Sequence, residues 1–330
     1  MTSISPTCNH WSPAAPAEEV ACVEAVPADR VSGDVMLATD ESELAGNAAR
    51  VALPLARRHR RGVRVVHVVD TRSVPVPPPL DVAIGMADAV VGSEMHAEQC
   101  DAVRATLAAA LGGPVDWPVR LGIGAPPSVI VREASHAGAG LVVLGLRRHG
   151  VLGRMLDDET ALLVMRHAAC PVLAVAPGLH ELPRHVIAAV DFGRSSRDAA
   201  RLARTLVAPG GTLTLAYVEG PPLSGRGDGA EHVQELGVRA AFAELRDELA
   251  DDDDVRIETL TLAGHADRTV AEELLARADA VHADLIALGT RRHGRLERWL
   301  LGSVTTDAAR DGRVSVLAVP PRPDASPEGG

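Results

Sequence analysis

Apolar residues gather along this chain into short, nearly unbroken runs, separated by longer stretches in which Ala, Leu and Val recur at helical spacing. The runs are Val35–Thr39, Val63–Val69, Val115–Ile123, Leu141–Leu144 and Pro171–Val175, then His185–Val190, Thr212–Val218, Val255–Leu262, Leu285–Leu288 and Val314–Val319. Runs without strict in-and-out alternation predict strands of a parallel sheet buried on both faces. The periodic stretches between them predict helices over Glu43–His59, Ala87–Leu111, Pro127–Ala137 and Glu159–His167. A second set is predicted over Ser195–Val207, Glu231–Ala250, Asp267–Ala280 and Val304–Arg310. Pro54 is expected to bend its helix. Pro75–Pro79 and the Gly/Pro-rich Gly220–Gly229 read as surface loops.

The order of elements is written twice, and one passage nearly verbatim: LVVLGLRRHG at Leu141–Gly150 and LIALGTRRHG at Leu285–Gly294. The loop-opening glycines, Gly145 and Gly289, stand 144 residues apart, a period that suits a duplicated globular domain. Strand–helix alternation with right-handed crossovers then gives an α/β fold of two repeated doubly wound parallel five-stranded sheets, with helices on both faces. The expected boundaries are a disordered tail over 1–30, domains over 31–177 and 185–320, a linker over 178–184 and a tail over 321–330.

Composition narrows the class. Hydrophobic residues make up 46% of the chain, which excludes a disordered protein, and only six residues are aromatic, so the cores are built from Ala, Val and Leu. A formal net charge of −11 and the lack of stacking aromatics argue against nucleic acid as a partner. No apolar run is long enough for a membrane span, and residues 1–30 lack the form of a signal peptide. Cys8, Cys22, Cys100 and Cys170 form no CxxC or zinc spacing, so a reduced, cytoplasmic chain is expected.

In an open α/β sheet, ligands sit beyond the carboxyl ends of the strands, where strand order reverses. In the second repeat two segments converge there: Asp191 after the first strand, and Gly289–Thr305 after the fourth. Gly302-Ser303 precede a helix, whose N-terminal amides and dipole favour an anion. Ser303 reads either as the cap of that helix or as a hydroxyl donor to a phosphate. Asp191 reads either as a helix cap or as a ligand contact.

With these residues in place, both repeats resemble universal stress protein domains, and Gly33 to Pro320 is similar to a tandem pair. The family signature is Gly, two residues, Gly, nine residues, then Gly-Ser or Gly-Thr. In the second repeat Gly289 takes the first position and Gly302 and Ser303 the last two; Arg292 holds the second glycine position, with a glycine displaced to Gly294. The resemblance implies the adenine nucleotide alpha hydrolase-like fold and an adenine nucleotide, ATP first, in the second domain. Asp191 matches the family's adenine-side aspartate. Tyr217 matches its second-strand adenine contact, where an aliphatic residue is usual; the alternative is that Tyr217 fills the core. The resemblance further implies that the domains pair through their last strands as an intrachain pseudo-dimer, with or without further homo-oligomerisation.

The first repeat departs further. Asp157-Asp158-Glu159 stand where Gly-Ser would cradle phosphate, and Asp40 keeps the aspartate position as a cap or turn residue. Arg147, Arg148 and His149, with Arg291, Arg292 and His293, would hold an anion, pair with acidic neighbours or face solvent. Asp251–Asp254 lacks the spacing of a calcium loop and reads as a solvated turn, and His67 as core packing; no metal is assigned. No GxGxxG opens a helix after the first strand, and no GxSxG or Walker A sequence is present. The chain is therefore read as a non-catalytic stress-response sensor or regulator that binds nucleotide and an unknown protein partner. The alternatives are a nucleotide-free interaction module of the same fold and a slow nucleotide hydrolase.

Overall fold

The computed structural model describes residues 31–40, 43–70, 93–146, 158–220, 228–250, 254–292, 299–300 and 302–321. These residues divide into two compact units, one over Val31–Glu181 and one from Leu182 onward.

The first unit runs β1 (Val35–Thr39), α1 (Glu43–His59), β2 (Val63–Val69), α2 (Ser93–Leu111), β3 (Val119–Ile123), α3 (Pro126–His136), β4 (Leu141–Gly145), α4 (Asp158–His167) and β5 (Val172–Val175). Its strands are all parallel and lie in the order β3-β2-β1-β4-β5. The chain steps outward from β1 through β2 to β3, then crosses back to β4 and β5. Right-handed crossovers put α1 and α2 on one face and α3 and α4 on the other.

The second unit repeats this path. It runs β6 (His185–Ala189), α5 (Arg194–Leu206), β7 (Thr212–Val218), α6 (Asp228–Leu249), β8 (Arg256–Leu262), α7 (Val270–Ala280), β9 (Leu285–Gly289), β10 (Arg291–Arg292), β11 (Trp299–Leu300), α8 (Ser303–Asp311) and β12 (Ser315–Val319). Its parallel strands lie in the order β12-β9-β6-β7-β8.

Helices on both faces explain why central strands read as continuous apolar runs. Val35, Met36 and Leu37 in β1, and Leu285, Ile286 and Ala287 in β9, are all fully buried. The edge strand β3 instead mixes exposed and buried positions, and β8 has only exposed and half-buried ones; there the sequence turns polar, as in RIETLTL. Each fully buried Leu or Ile contributes about 2 kcal/mol of transfer free energy.

Most boundaries shift from expectation by a residue at most, and the larger differences include those at β3, α7 and α6. β3 starts at Val119, because Pro118 has no N–H for the ladder and supplies only its carbonyl, 2.8 Å from the Val65 N–H. α7 starts at Val270 and not at Asp267, because Thr269 closes a capping box with Glu272. α6 reaches back to Asp228, inside the segment expected to be a loop. α1 continues as one helix through Pro54. The Pro75–Pro79 segment lies outside the described residues.

Candidate functional site

In the second unit the reversal of strand order falls between β6 and β9. These strands pair in parallel, with Val186 opposite Leu285 and Ala188 opposite Ala287, so their carboxyl ends are adjacent. Asp191 follows β6 and is exposed. Its Oδ1 accepts the Gly193 N–H at 3.0 Å and the Ser196 hydroxyl at 2.6 Å. The Asp191 N–H in turn donates to Ser196 Oγ at 3.2 Å. The helix cap of α5 is Gly193, without a side-chain cap, so Asp191 shapes the approach to the helix from two residues before the cap.

Phe192, which the sequence reading passed over, stands at the centre of this corner. Its φ of 61° lies in the left-handed region, costly for a bulky side chain. Its ring packs 5.3 Å from that of Tyr217 on β7 and 5.1 Å, edge to face, from that of Phe242 on α6. Its carbonyl accepts a hydrogen bond from Arg197 Nε at 3.2 Å. Tyr217 is half-buried and belongs to this cluster, which holds both phenylalanines and the single tyrosine of the chain. A phenylalanine directly after the aspartate, in a chain this poor in aromatics, is the signal that could have found it.

Gly289 ends β9 against the same corner. A Cβ there would lie 2.5 Å from the carbonyl carbon of Ser195 and 2.7 Å from the Ser196 nitrogen. Only glycine lets β9 and the start of α5 approach so closely. Thr290 is buried and its N–H bonds the Val319 carbonyl at 2.8 Å. Arg292, expected in an open loop, is strand: Arg291 pairs with Leu300 and Arg292 with Trp299, antiparallel. Gly294 and His293 lie outside the described residues.

Gly302 and Ser303 lie past that ladder, both exposed. The expectation of Ser303 as a cap is corrected: Gly302 is the N-cap, in an extended conformation, and Ser303 is the first residue of α8. Among the described residues no side chain caps this helix, and no acidic residue stands in its first turn. Nothing among the described residues lies within 4 Å of where a Cβ at Gly302 would stand. α7, by contrast, is closed by its capping box and carries Glu272 and Glu273 in its first turn.

The first unit has the same frame with different groups. Val35 pairs with Val63 as Val186 pairs with Leu213, so the step of β2 holding His67 matches the step of β7 holding Tyr217. Five residues beyond Asp40 stands buried Ala45, where the second unit has Ser196, so the matching position carries no hydroxyl. Gly145 ends β4, and Leu146 donates to the Val175 carbonyl at 2.8 Å, as Thr290 does to Val319. Residues 147–157, with Arg147, Arg148, His149 and Asp157, are outside the described residues; α4 then starts at Asp158.

Remaining candidates fall elsewhere. His67 is 8% exposed, and among the described residues its Nδ1 has no hydrogen-bond partner. Asp254 is exposed, and its carbonyl accepts the Gly210 N–H at 2.7 Å. Cys100 is buried and Cys170 half-buried, and no disulfide joins them. Among the described residues no group of three or more His, Cys, Asp or Glu is placed to hold a metal ion, and no helix is long and apolar enough to cross a membrane. A cavity of about 320 Å³ opens at the other end of the first sheet, lined by Asp34, Arg57, Arg61, Arg64 and Trp117 among others. There Arg64 pairs with Asp34 at 2.7 Å.

Comparison with known proteins agrees with this frame. The sequence model described as the universal stress protein family matches residues 33–176 and again 183–320. A universal stress protein of Thermus aquaticus, encoded 3′ of a QAH/OAS sulfhydrylase, is 32% identical over 141 residues, covering 43% of this chain and 96% of the relative. A solved universal stress protein from Archaeoglobus fulgidus DSM 4304 superposes with a TM-score of 0.57 at 18% identity, over 88% of this chain and 98% of its own. A structure described as a putative universal stress protein from Pseudomonas aeruginosa UCBPP-PA14 gives 0.53 at 17% identity, over 87% and 93%. At such identities the structures bear on the fold alone.

Proposed function

The chain belongs to the universal stress protein family, as a tandem of two domains with the adenine nucleotide alpha hydrolase-like fold, and from that premise we propose that its second domain binds an adenine nucleotide, ATP first. The observation that carries this reading is the pairing of two glycine-led helix starts beside one strand crossing. α5 and α8 both begin at a glycine, and neither has a side-chain cap or an acid in its first turn. Amides at such starts favour an anion, and no atom of the described residues would lie within 4 Å of a Cβ at Gly302. Gly302 and Ser303 hold the phosphates, while Asp191 and Tyr217 lie toward the base and ribose.

The first domain does not share this role. Acidic residues stand in the sequence where α4 begins, and negative charge at that position disfavours a triphosphate. Binding without turnover makes the protein a sensor or regulator whose occupancy reports the cell's nucleotide supply. A second reading, a nucleotide-free interaction module, draws on Arg292 at the second glycine position of the motif. Thermal unfolding with millimolar ATP separates the two. The nucleotide reading predicts a rise in Tm that Gly302→Asp and Asp191→Asn each remove; no rise in the unaltered protein favours the interaction module.

A further inference from the structure

We infer that Phe192 is a positioning residue that sets Asp191 for its ligand and couples the ligand-facing corner to α6. This rests on the nucleotide reading of the second domain. Phe192 is tied at both ends of its peptide environment. Its ring is held between Tyr217 and Phe242, and its carbonyl is held by Arg197. Arg197 continues the path: its Nη1 bonds Glu244 at 3.0 Å and also Glu248, both on α6. Arg201, one turn further along α5, bonds Glu248 at 2.7 Å. Two separate routes, one aromatic and one ionic, therefore join the residue after Asp191 to the same helix.

The backbone supplies a reason for the corner to have two states. A phenylalanine at φ 61° is held against its own steric preference by these neighbours. Asp191 Oδ1 is committed to the Ser196 hydroxyl and the Gly193 N–H, so a donor on a ligand competes with those bonds. When they rearrange, the constraint on Phe192 changes, and the ring and carbonyl carry the change to Phe242 and Arg197. Coupling of this kind needs an element whose two arrangements both sites bias, and the left-handed Phe192 is that element. The first domain lacks the device: Glu41 follows Asp40, and Ala45 replaces Ser196.

Phe192→Gly provides the test, since glycine accepts the left-handed backbone while losing the ring. The full-length protein and this variant are titrated with ATP by calorimetry, and hydrogen–deuterium exchange across α6 is measured with and without ATP. The inference expects ATP to alter exchange in α6 of the unaltered protein. In Phe192→Gly, affinity falls about tenfold and the α6 response disappears, while Tm stays close to that of the parent; Phe192→Tyr restores both. Phe242→Leu, which keeps the apolar volume, weakens the α6 response in the same direction. ATP binding by Phe192→Gly with parental affinity and an unchanged α6 response overturns the inference while leaving the nucleotide reading standing. Absence of ATP binding by the unaltered protein overturns the nucleotide reading, and this inference with it.

Discussion

Gly289 lies so close to Ser195 that a Cβ on the glycine would fall 2.5 Å from the serine carbonyl carbon. The first glycine of the nucleotide motif is therefore fixed by helix packing before any ligand is considered. Gly289→Ala forces α5 away from β9 and destabilises the second domain by about 1–3 kcal/mol. Urea unfolding measures this. Parental stability in Gly289→Ala contradicts the packing account, and loss of ATP binding in that variant alone says little about phosphate contact.

Capping distinguishes α7, whose start serves only the fold, from α8, whose start is proposed to meet a ligand. Thr269 and Glu272 close α7 reciprocally, through bonds of 3.2 Å and 2.7 Å. Thr269→Ala accordingly costs about 1 kcal/mol. Ser303 caps nothing, so Ser303→Ala leaves unfolding within about 0.5 kcal/mol of the parent. Equal losses in the two variants in chemical denaturation contradict the assignment of Gly302 as the cap.

The Asp34 carboxyl gives the first domain a pH signature. Burial acts to raise its pKa, but the hydrogen bond from Arg64, the Gly62 N–H and the charges of Arg64 and Arg61 outweigh it and hold the group below its ordinary range. A lowered folded-state pKa means the stabilisation is present above the unfolded value and is lost as pH falls through the folded one. Asp34→Asn therefore lowers the urea midpoint at neutral pH, and the difference from the parent closes as the pH drops through the acid range. A difference that persists unchanged down to about pH 2 contradicts this.

Burial pushes the Cys170 thiol up to about 12, leaving almost no thiolate at physiological pH. Mass spectrometry of the native protein after iodoacetamide treatment at about pH 8 is expected to find Cys170 unmodified. Rapid labelling there contradicts its placement.

The repeat, the alternation of elements and most strand limits were legible in the sequence because strands buried on both faces are continuously apolar. β1, α1, β2 and β7 begin and end where the pattern places them. The misses lie where one residue's chemistry outweighs periodicity, such as Pro118 at β3 and Thr269 at α7. At the site, the meeting of Asp191 with Gly289 follows from topology alone. Two features do not. Side-chain pattern carries no trace of the two-residue pairing of Arg291–Arg292 with Leu300 and Trp299. Nor does it reveal a left-handed Phe192, because Phe192, Tyr217 and Phe242 are distant in sequence and meet only when β7 and α6 are folded beside α5.

The asymmetry between the two domains is the centre of this account, and the number of ATP molecules bound per chain tests it most directly. Calorimetric titration of the full-length protein is predicted to give one site per chain, abolished by Gly302→Asp and unaffected by Asp158→Ala. Two equivalent sites, or no heat at millimolar ATP, would contradict it.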